Sequence, residues 1–165
     1  MKTTLRIILW TAVVAWMALI FSFSMETAAE SSATSGGFIR YIMEQRMTGF
    51  TELTAAAQQE TIESVTYFVR KSAHFCIFAG LGFLLCAAWW SCDAAMKRAF
   101  LLAAVIGILY AVSDEIHQAF VPGRACMLRD MLLDTCGVLT GAGALTLIRL
   151  ICINTKNKNK SCSRR

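Results

Sequence analysis

Hydrophobic residues gather in four long runs, separated by segments that carry most of the charge. The runs cover residues 5–25, 72–90, 99–120 and 131–153. Each has about the 20 residues that a helix needs to cross a bilayer. The pattern therefore predicts an all-α membrane protein, a bundle of four transmembrane helices. Residues 1–153 form a single membrane domain, and residues 154–165 form a basic polar tail predicted to be disordered.

The first run also has some features of a cleaved signal peptide. Ser22 and Ser24 are small residues near its end, at a spacing that resembles a cleavage site. However, the run is longer than the apolar core of a signal peptide, which has roughly 7–15 residues. The length favours a retained anchor.

The segment 26–69 between the first two runs is polar. It begins with a stretch rich in Ser, Thr and Gly, residues 31–37, which predicts a loop. Apolar residues then recur at intervals of three or four, which predicts two short amphipathic helices at the membrane interface, with a break at Gly49. The residues of this pattern are Phe38, Ile39, Tyr41 and Ile42, followed by Ile62, Val65 and Val69.

Composition narrows the class of protein. Hydrophobic residues make up 56% of the chain, which is too apolar for an ordinary soluble domain. The chain has a net charge of +5, but its basic residues lie at the ends of apolar runs rather than along one face. No nucleic-acid partner is therefore predicted. The seven cysteines contain no CxxC pair, and we expect them to be small buried hydrophobic residues rather than a disulfide or metal framework. Cys126 is the exception, because it lies in a short charged loop.

The distribution of basic residues predicts the orientation. The tail carries five Lys and Arg residues and the amino end carries two, whereas the 26–71 segment has six acidic residues against four basic ones. By the positive-inside rule, both termini are cytoplasmic.

This orientation places polar residues from four helix ends at the outer face. Only fourteen residues lie between Ala99 and Asp114, which at about 1.5 Å per residue reach about 21 of the roughly 30 Å of hydrocarbon. Asp114 is therefore expected inside the edge of the bilayer, where an acid is costly and is a functional candidate. We define the polar layer as Ser24, Arg70, Lys71, His74, Asp114, Glu115, His117, Gln118, Arg124, Arg129, Asp130 and Asp134.

Helical spacing places the acids towards the inside of the bundle. Asp114 shares a helix face with His117 and Gln118. In the fourth run, Asp130 and Asp134 lie on one helix face with Gly137 and Gly141. The two glycines form a GxxxG pattern, which allows close approach of another helix.

These residue types suggest chemistry on an anionic group. We assign catalytic roles, proton exchange and activation of a nucleophile, to His74, Asp114, Glu115 and His117. Binding roles are assigned to Lys71, Gln118, Arg124, Asp130 and Asp134. The alternative is that the charged residues only pair with one another and hold the helices in register. The spacing matches no specific metal motif, so no metal site is predicted, and no cofactor is specified.

Several of these segments resemble a known family. Phe21-Ser22-Phe23-Ser24, RKSAHF at 70–75 and SDEIHQAFVPGR at 113–124, followed by Asp130, Asp134 and Gly137, look like the VanZ-like family of small bacterial membrane proteins. The resemblance implies a multi-pass protein of the bacterial cell membrane and a link to resistance to the glycopeptide antibiotic teicoplanin. One departure is that family members commonly have Glu and Tyr after Ala-His-Phe, where this chain has Cys76, Ile77 and Phe78.

We therefore expect a protein that acts at the outer leaflet on, or with, a lipid-linked anionic component of the cell envelope. Its partner would be a membrane lipid or a cell-envelope precursor. The alternative is a noncatalytic envelope protein that binds a headgroup or antibiotic, or modulates a partner enzyme. An ion or proton-coupled carrier is less favoured, because the sequence has no internal repeat.

Overall fold

The computed structural model describes residues 2–25 and 28–162, with side chains at residues 2–25 and 36–156. In this part of the chain the fold is entirely helical. The α-helices are α1 (Lys2–Ser24), α2 (Ala28–Arg46), α3 (Ala55–Ser91), α4 (Met96–Gln118) and α5 (Leu128–Cys162), and a 3₁₀ helix spans Phe50–Glu52. Helices α1, α3, α4 and α5 are long and apolar enough to cross a membrane. The predicted all-α bundle of four spans is confirmed.

Helix α3 lies at the centre of the bundle and packs most extensively against α5. The predicted GxxxG pattern explains this contact. A Cβ atom added to Gly137 would lie 2.6 Å from the carbonyl oxygen of Phe75, and one added to Gly141 would lie 2.7 Å from the carbonyl carbon of Ala79. Both distances are far below an ordinary contact, so the two backbones touch where only glycine fits.

The core of the bundle lies below the polar layer and is apolar. Phe78, Leu81 and Leu85 of α3 are completely buried, as are Val138 and Ala142 of α5. Large hydrophobic side chains also cover the outside of the bundle, including Ile8 and Leu109. An apolar core inside an apolar surface is the arrangement expected of a helix bundle in lipid.

Two predictions about the segment after α1 are wrong. The 31–37 stretch, predicted as a loop, lies within α2. The second amphipathic helix does not exist as a separate element, because α3 runs without interruption for 37 residues from Ala55. At about 1.5 Å per residue, α3 is about 56 Å long, so it extends well beyond a bilayer about 30 Å thick.

The predicted break at Gly49 is present. Gly49 has φ of 81°, the left-handed region that glycine adopts without strain. The side chain of Thr54 then caps α3 by accepting a hydrogen bond from the Ala57 N–H, at 3.3 Å. This turn folds α2 back onto α3, where Ile39, Phe50 and Ile62 form a small second core. The interfacial position predicted for this segment stays a prediction.

Two predictions about the cysteines and the tail also fail. Among the six cysteines described, Cys86 is buried and the other five are exposed. Those on the spans, such as Cys76 and Cys136, lie on outward faces rather than in the core. Helix α5 continues to Cys162, so residues 154–162, predicted to be disordered, are helical. Residues 163–165 of the predicted tail lie outside the described part.

The end of the bundle opposite the polar layer is fastened by ionic contacts. Asp93, in the turn between α3 and α4, pairs with Arg6 and Lys2 of α1. The Arg149 guanidinium of α5 lies 3.0 Å from the centre of the Trp90 ring. These contacts tie α1 and α5 to the α3–α4 turn.

Candidate functional site

Four helices bring polar side chains together at one end of the bundle. They come from the last residue of α1, the middle of α3, the end of α4 and the beginning of α5. Five of these side chains are buried, with at most 7% of their surface exposed: Ser24, Asp114, Glu115, Gln118 and Asp134. Three buried acids in one small bundle make this end the candidate site.

Asp114 is held by neutral donors. Its Oδ2 atom accepts a hydrogen bond from the Ser24 hydroxyl at 2.8 Å and another from the Gln118 side-chain amide at 2.9 Å. The same amide lies 3.3 Å from the Ser24 hydroxyl oxygen, which closes a three-residue network. These contacts link α1 to α4 and fix the orientation of the carboxylate.

Glu115 serves the loop between α4 and α5. Its Oε1 atom accepts a hydrogen bond from the Met127 backbone N–H at 2.7 Å, immediately before α5 begins. The side chain is only 1% exposed. Glu115 therefore connects the buried site to the start of α5, and this contact helps to hold the α4–α5 loop in place.

Two charged pairs join α3 to α5. Lys71 forms a salt bridge and hydrogen bond with Asp130, and its ammonium lies 5.4 Å from the centre of the Tyr67 ring. His74 Nδ1 lies 3.9 Å from Asp134 Oδ2. That separation is too long for a direct hydrogen bond.

Several buried polar atoms of the described side chains have no hydrogen-bond partner. They include Oδ1 of Asp114, Oδ1 of Asp134 and Nδ1 of His117. In addition, the ligand-capable atoms of His74, Asp114 and Asp134 lie within 4.8 Å of one another. Among the described residues, these three form the group that could hold a metal ion.

A small polar pocket, of about 30 Å³, lies at the centre of this end of the bundle. Its walls consist mainly of charged side chains: Arg70, Lys71, His74, Glu115, Gln118, Arg124, Leu133, Asp130 and Asp134. A volume of about 30 Å³ holds about one water molecule. Any larger group enters only if the walls move.

A larger apolar groove, of about 440 Å³, adjoins the polar pocket on the outside of the bundle. It runs between α3 and α5, with Phe68, Phe75 and Leu132 among its walls. Lys71, Asp130 and Leu133 line both the groove and the pocket. The Lys71–Asp130 salt bridge therefore lies between the polar pocket and the apolar groove.

The structure brings together eight of the nine residues to which the sequence assigned roles. Seven line the small pocket, and Asp114 lies beside it within reach of His74 and Asp134. His117 is separate, because it points towards α1, where its ring lies 4.5 Å from that of Phe21. The grouping of Asp114, His117 and Gln118 on one face is thus too broad.

Sequence reasoning assigned no role to some residues that shape the site. Ser24 and Arg70 were placed in the polar layer without a role, yet Ser24 holds Asp114 and Arg70 lines the pocket. The position of Ser24, at the end of an apolar span and at the level of Asp114, could have indicated its role. The Met127 N–H left no such signal, since every residue except proline carries a backbone donor.

Comparison with protein families matches most of the chain. A family model described as VanZ/LLP1 matches residues 9–149, which include the second and third spans, most of the first and fourth spans, and the polar layer. No curated protein and no solved structure matches the chain.

Proposed function

We propose that this chain, which belongs to the VanZ/LLP1 family of membrane proteins, binds a lipid-linked anionic component of the cell envelope at the outer leaflet. The family resemblance adds a link to teicoplanin resistance. The observation that carries the proposal is the adjacency of the charged pocket and the apolar groove, which share Lys71, Asp130 and Leu133. A lipid with a charged headgroup has the same two parts.

The charges of the pocket favour an anionic headgroup. Arg70, Lys71 and Arg124 all line it. A phosphate accepts several charge-assisted hydrogen bonds from such cations, and guanidinium groups match its geometry particularly well. Because the pocket holds only about one water molecule, the headgroup would enter by separating Lys71 from Asp130 and taking the place of that carboxylate.

The groove favours a lipid chain over a free anion. Its walls include Phe68, Phe75 and Leu132, and we expect its opening to face lipid. Burial of apolar surface stabilises by about 25 cal/mol per Å² against water, but a groove already facing lipid gains little from this effect. The groove would therefore guide and orient the chain, and the cations would supply the affinity.

The outer position of the site rests on the distribution of basic residues. The end of the bundle opposite the pocket carries Lys2, Arg6 and Arg149, and basic flanks remain in the cytoplasm. With four spans, both termini lie at that end. The pocket then opens at the outer face of the cell membrane.

Catalysis would use the acids and the imidazole of the same pocket. His74 and Glu115 line it directly and could exchange protons with a bound headgroup. Asp134 lies next to His74 and would hold the imidazole. His117 packs against Phe21, away from the pocket, so we propose that it has a supporting role in the contact between α1 and α4.

Native mass spectrometry with lipid extraction tests the proposal. Wild-type protein is expected to retain a phosphate-bearing lipid that Arg124→Gln loses, because that substitution removes one cation from the pocket. The matched control is Arg149→Gln, at the opposite end of the bundle, which is expected to retain the lipid. Equal retention by all three proteins, or no retained lipid in any of them, would contradict the proposal.

One observation favours the alternative, a noncatalytic protein that modulates a partner. Helix α2 exposes Phe38 and Tyr41, with 67% and 60% of their surface accessible, and a groove of about 490 Å³ lies between α2 and α3. Alanine substitutions separate the two functions. If Phe38→Ala abolishes the cellular phenotype and His74→Ala does not, partner binding is favoured, whereas the reverse result favours the pocket.

A further inference from the structure

Three helices each direct one metal-binding side chain to the same point beside the polar pocket. His74 comes from α3, Asp114 from α4 and Asp134 from α5, and their ligand-capable atoms lie within 4.8 Å of one another. We propose that these three residues form a binding site for one divalent transition-metal ion, of the kind exemplified by Zn²⁺ or Mn²⁺. The site goes beyond the proposed function and does not depend on a lipid ligand.

The two carboxylates of this group are almost completely buried. Asp114 is 3% exposed and Asp134 is 1% exposed. In each, the Oδ1 atom is buried and has no hydrogen-bond partner among the described residues. An unsatisfied buried carboxylate oxygen is costly unless a cation compensates it. A divalent ion bound by both acids would supply that cation.

His74 and Asp134 are separated by a distance that suits two ligands of one ion. Their Nδ1 and Oδ2 atoms are 3.9 Å apart, beyond hydrogen-bond range. Ligands about 2.1 Å from a zinc ion lie about 3.4 Å from each other in a tetrahedral site. The three side chains would therefore close on an ion by rotations that move their ligand atoms by about 1 Å or less, with no movement of the helices.

The ligand set indicates the class of metal. One imidazole and two carboxylates are a mixed set of nitrogen and oxygen ligands. This set suits Zn²⁺ and Mn²⁺ better than Ca²⁺, which takes oxygen ligands only. Three protein ligands leave at least one coordination position open, as in catalytic rather than structural zinc sites. An oxygen of water or of a phosphate could take that position.

The surroundings also resemble those of a metal site. The Asp114 Oδ2 atom is already held by Ser24 and Gln118, the outer contacts that orient a ligating carboxylate. Five further charged residues face this level of the bundle: Arg70, Lys71, Glu115, Arg124 and Asp130. Lys71 pairs with Asp130, so its charge is already engaged. In the competing arrangement, His74 pairs directly with the acids and no metal is bound.

Metal binding to the purified full-length protein in detergent tests the site. After treatment with a chelator, Zn²⁺ alone or Mn²⁺ alone is added, and bound metal is counted after desalting. We expect about one ion per wild-type chain, and at least a tenfold loss of affinity in His74→Ala and in Asp134→Asn. Ser24→Ala should weaken binding by about tenfold or more, as removal of an outer contact does.

Asp93→Asn is the matched control, because Asp93 is an acid that pairs with Lys2 and Arg6 at the opposite end of the bundle. It should bind the metal within twofold of wild type. Thermal unfolding with and without Zn²⁺ separates lost binding from misfolding: the metal should raise the Tm of wild type and Asp93→Asn but not of a folded His74→Ala. Substoichiometric binding by wild type, or equal binding by His74→Ala, would overturn the site. Retained lipid without metal would refute this site and leave the proposed function standing.

Discussion

Substitution of Gly141 by alanine should destabilise the contact between α3 and α5. The added Cβ atom would lie 2.7 Å from the carbonyl carbon of Ala79 and closer still to its oxygen, whereas ordinary contacts begin at 3.4 Å. The obstacle is backbone rather than a flexible side chain, so the helices must separate by more than half an ångström. Overpacking costs about 1–3 kcal/mol, and here the upper end applies. The higher helix propensity of alanine offsets about 1 kcal/mol of this cost.

The net loss is therefore about 2 kcal/mol, which corresponds to a fall in Tm of about 4–8 °C for a chain of this size. Thermal unfolding in one detergent, followed by circular dichroism, measures it. Gly143→Ala is the matched control, since Gly143 lies on the same helix and a Cβ atom there meets nothing within 4 Å. Gly143→Ala should leave the Tm unchanged or raise it slightly. If the two variants unfold at the same temperature, the close α3–α5 contact is refuted.

Two further predictions concern the site and its orientation. Ser24→Ala removes a donor to the buried Asp114 and should cost about 1.5–3 kcal/mol by thermal unfolding. Ser22→Ala, whose hydroxyl is exposed and bonded only within its own helix, should cost less than about 0.5 kcal/mol, and equal effects would contradict the network. In intact cells, a membrane-impermeant maleimide should label Cys126 but not Cys92, as read by peptide mass spectrometry. The opposite labelling would invert the orientation.

Most of the fold was predictable because each span is a long apolar run bounded by charge. The error at α3 has a physical cause. Between Ala55 and Arg70 the sequence holds no proline or glycine, so nothing ends the helix, and the polar residues there only mark where it leaves the membrane. The 31–37 stretch shows the converse error, because its Ser, Thr and Gly residues predicted a loop, yet it is helical. Local propensity is a weak guide where flanking turns are helical.

The residues of the site were predictable from the helical periodicity of the sequence, but the geometry of the site was not. At about 100° per residue, Gln118 lies about 40° to one side of Asp114, and His117 lies about 60° to the other. The pocket is on the Gln118 side, where Glu115 also points. Spacing alone could not choose between the two sides, since that choice depends on where α1 packs. Phe21 occupies the side of His117.

Under the proposed function, the polar pocket recognises the anionic headgroup of a lipid. The most direct measurement compares the Tm of the purified protein with a polyprenyl phosphate and with the matching uncharged polyprenol. At a ligand concentration 100 times its Kd, binding stabilises by about 2.7 kcal/mol, or about 5–10 °C here. We expect that the phosphate raises the Tm of wild type and of Arg149→Gln, and that it has little effect on Arg124→Gln. Equal shifts with polyprenol, or an undiminished shift in Arg124→Gln, would contradict it.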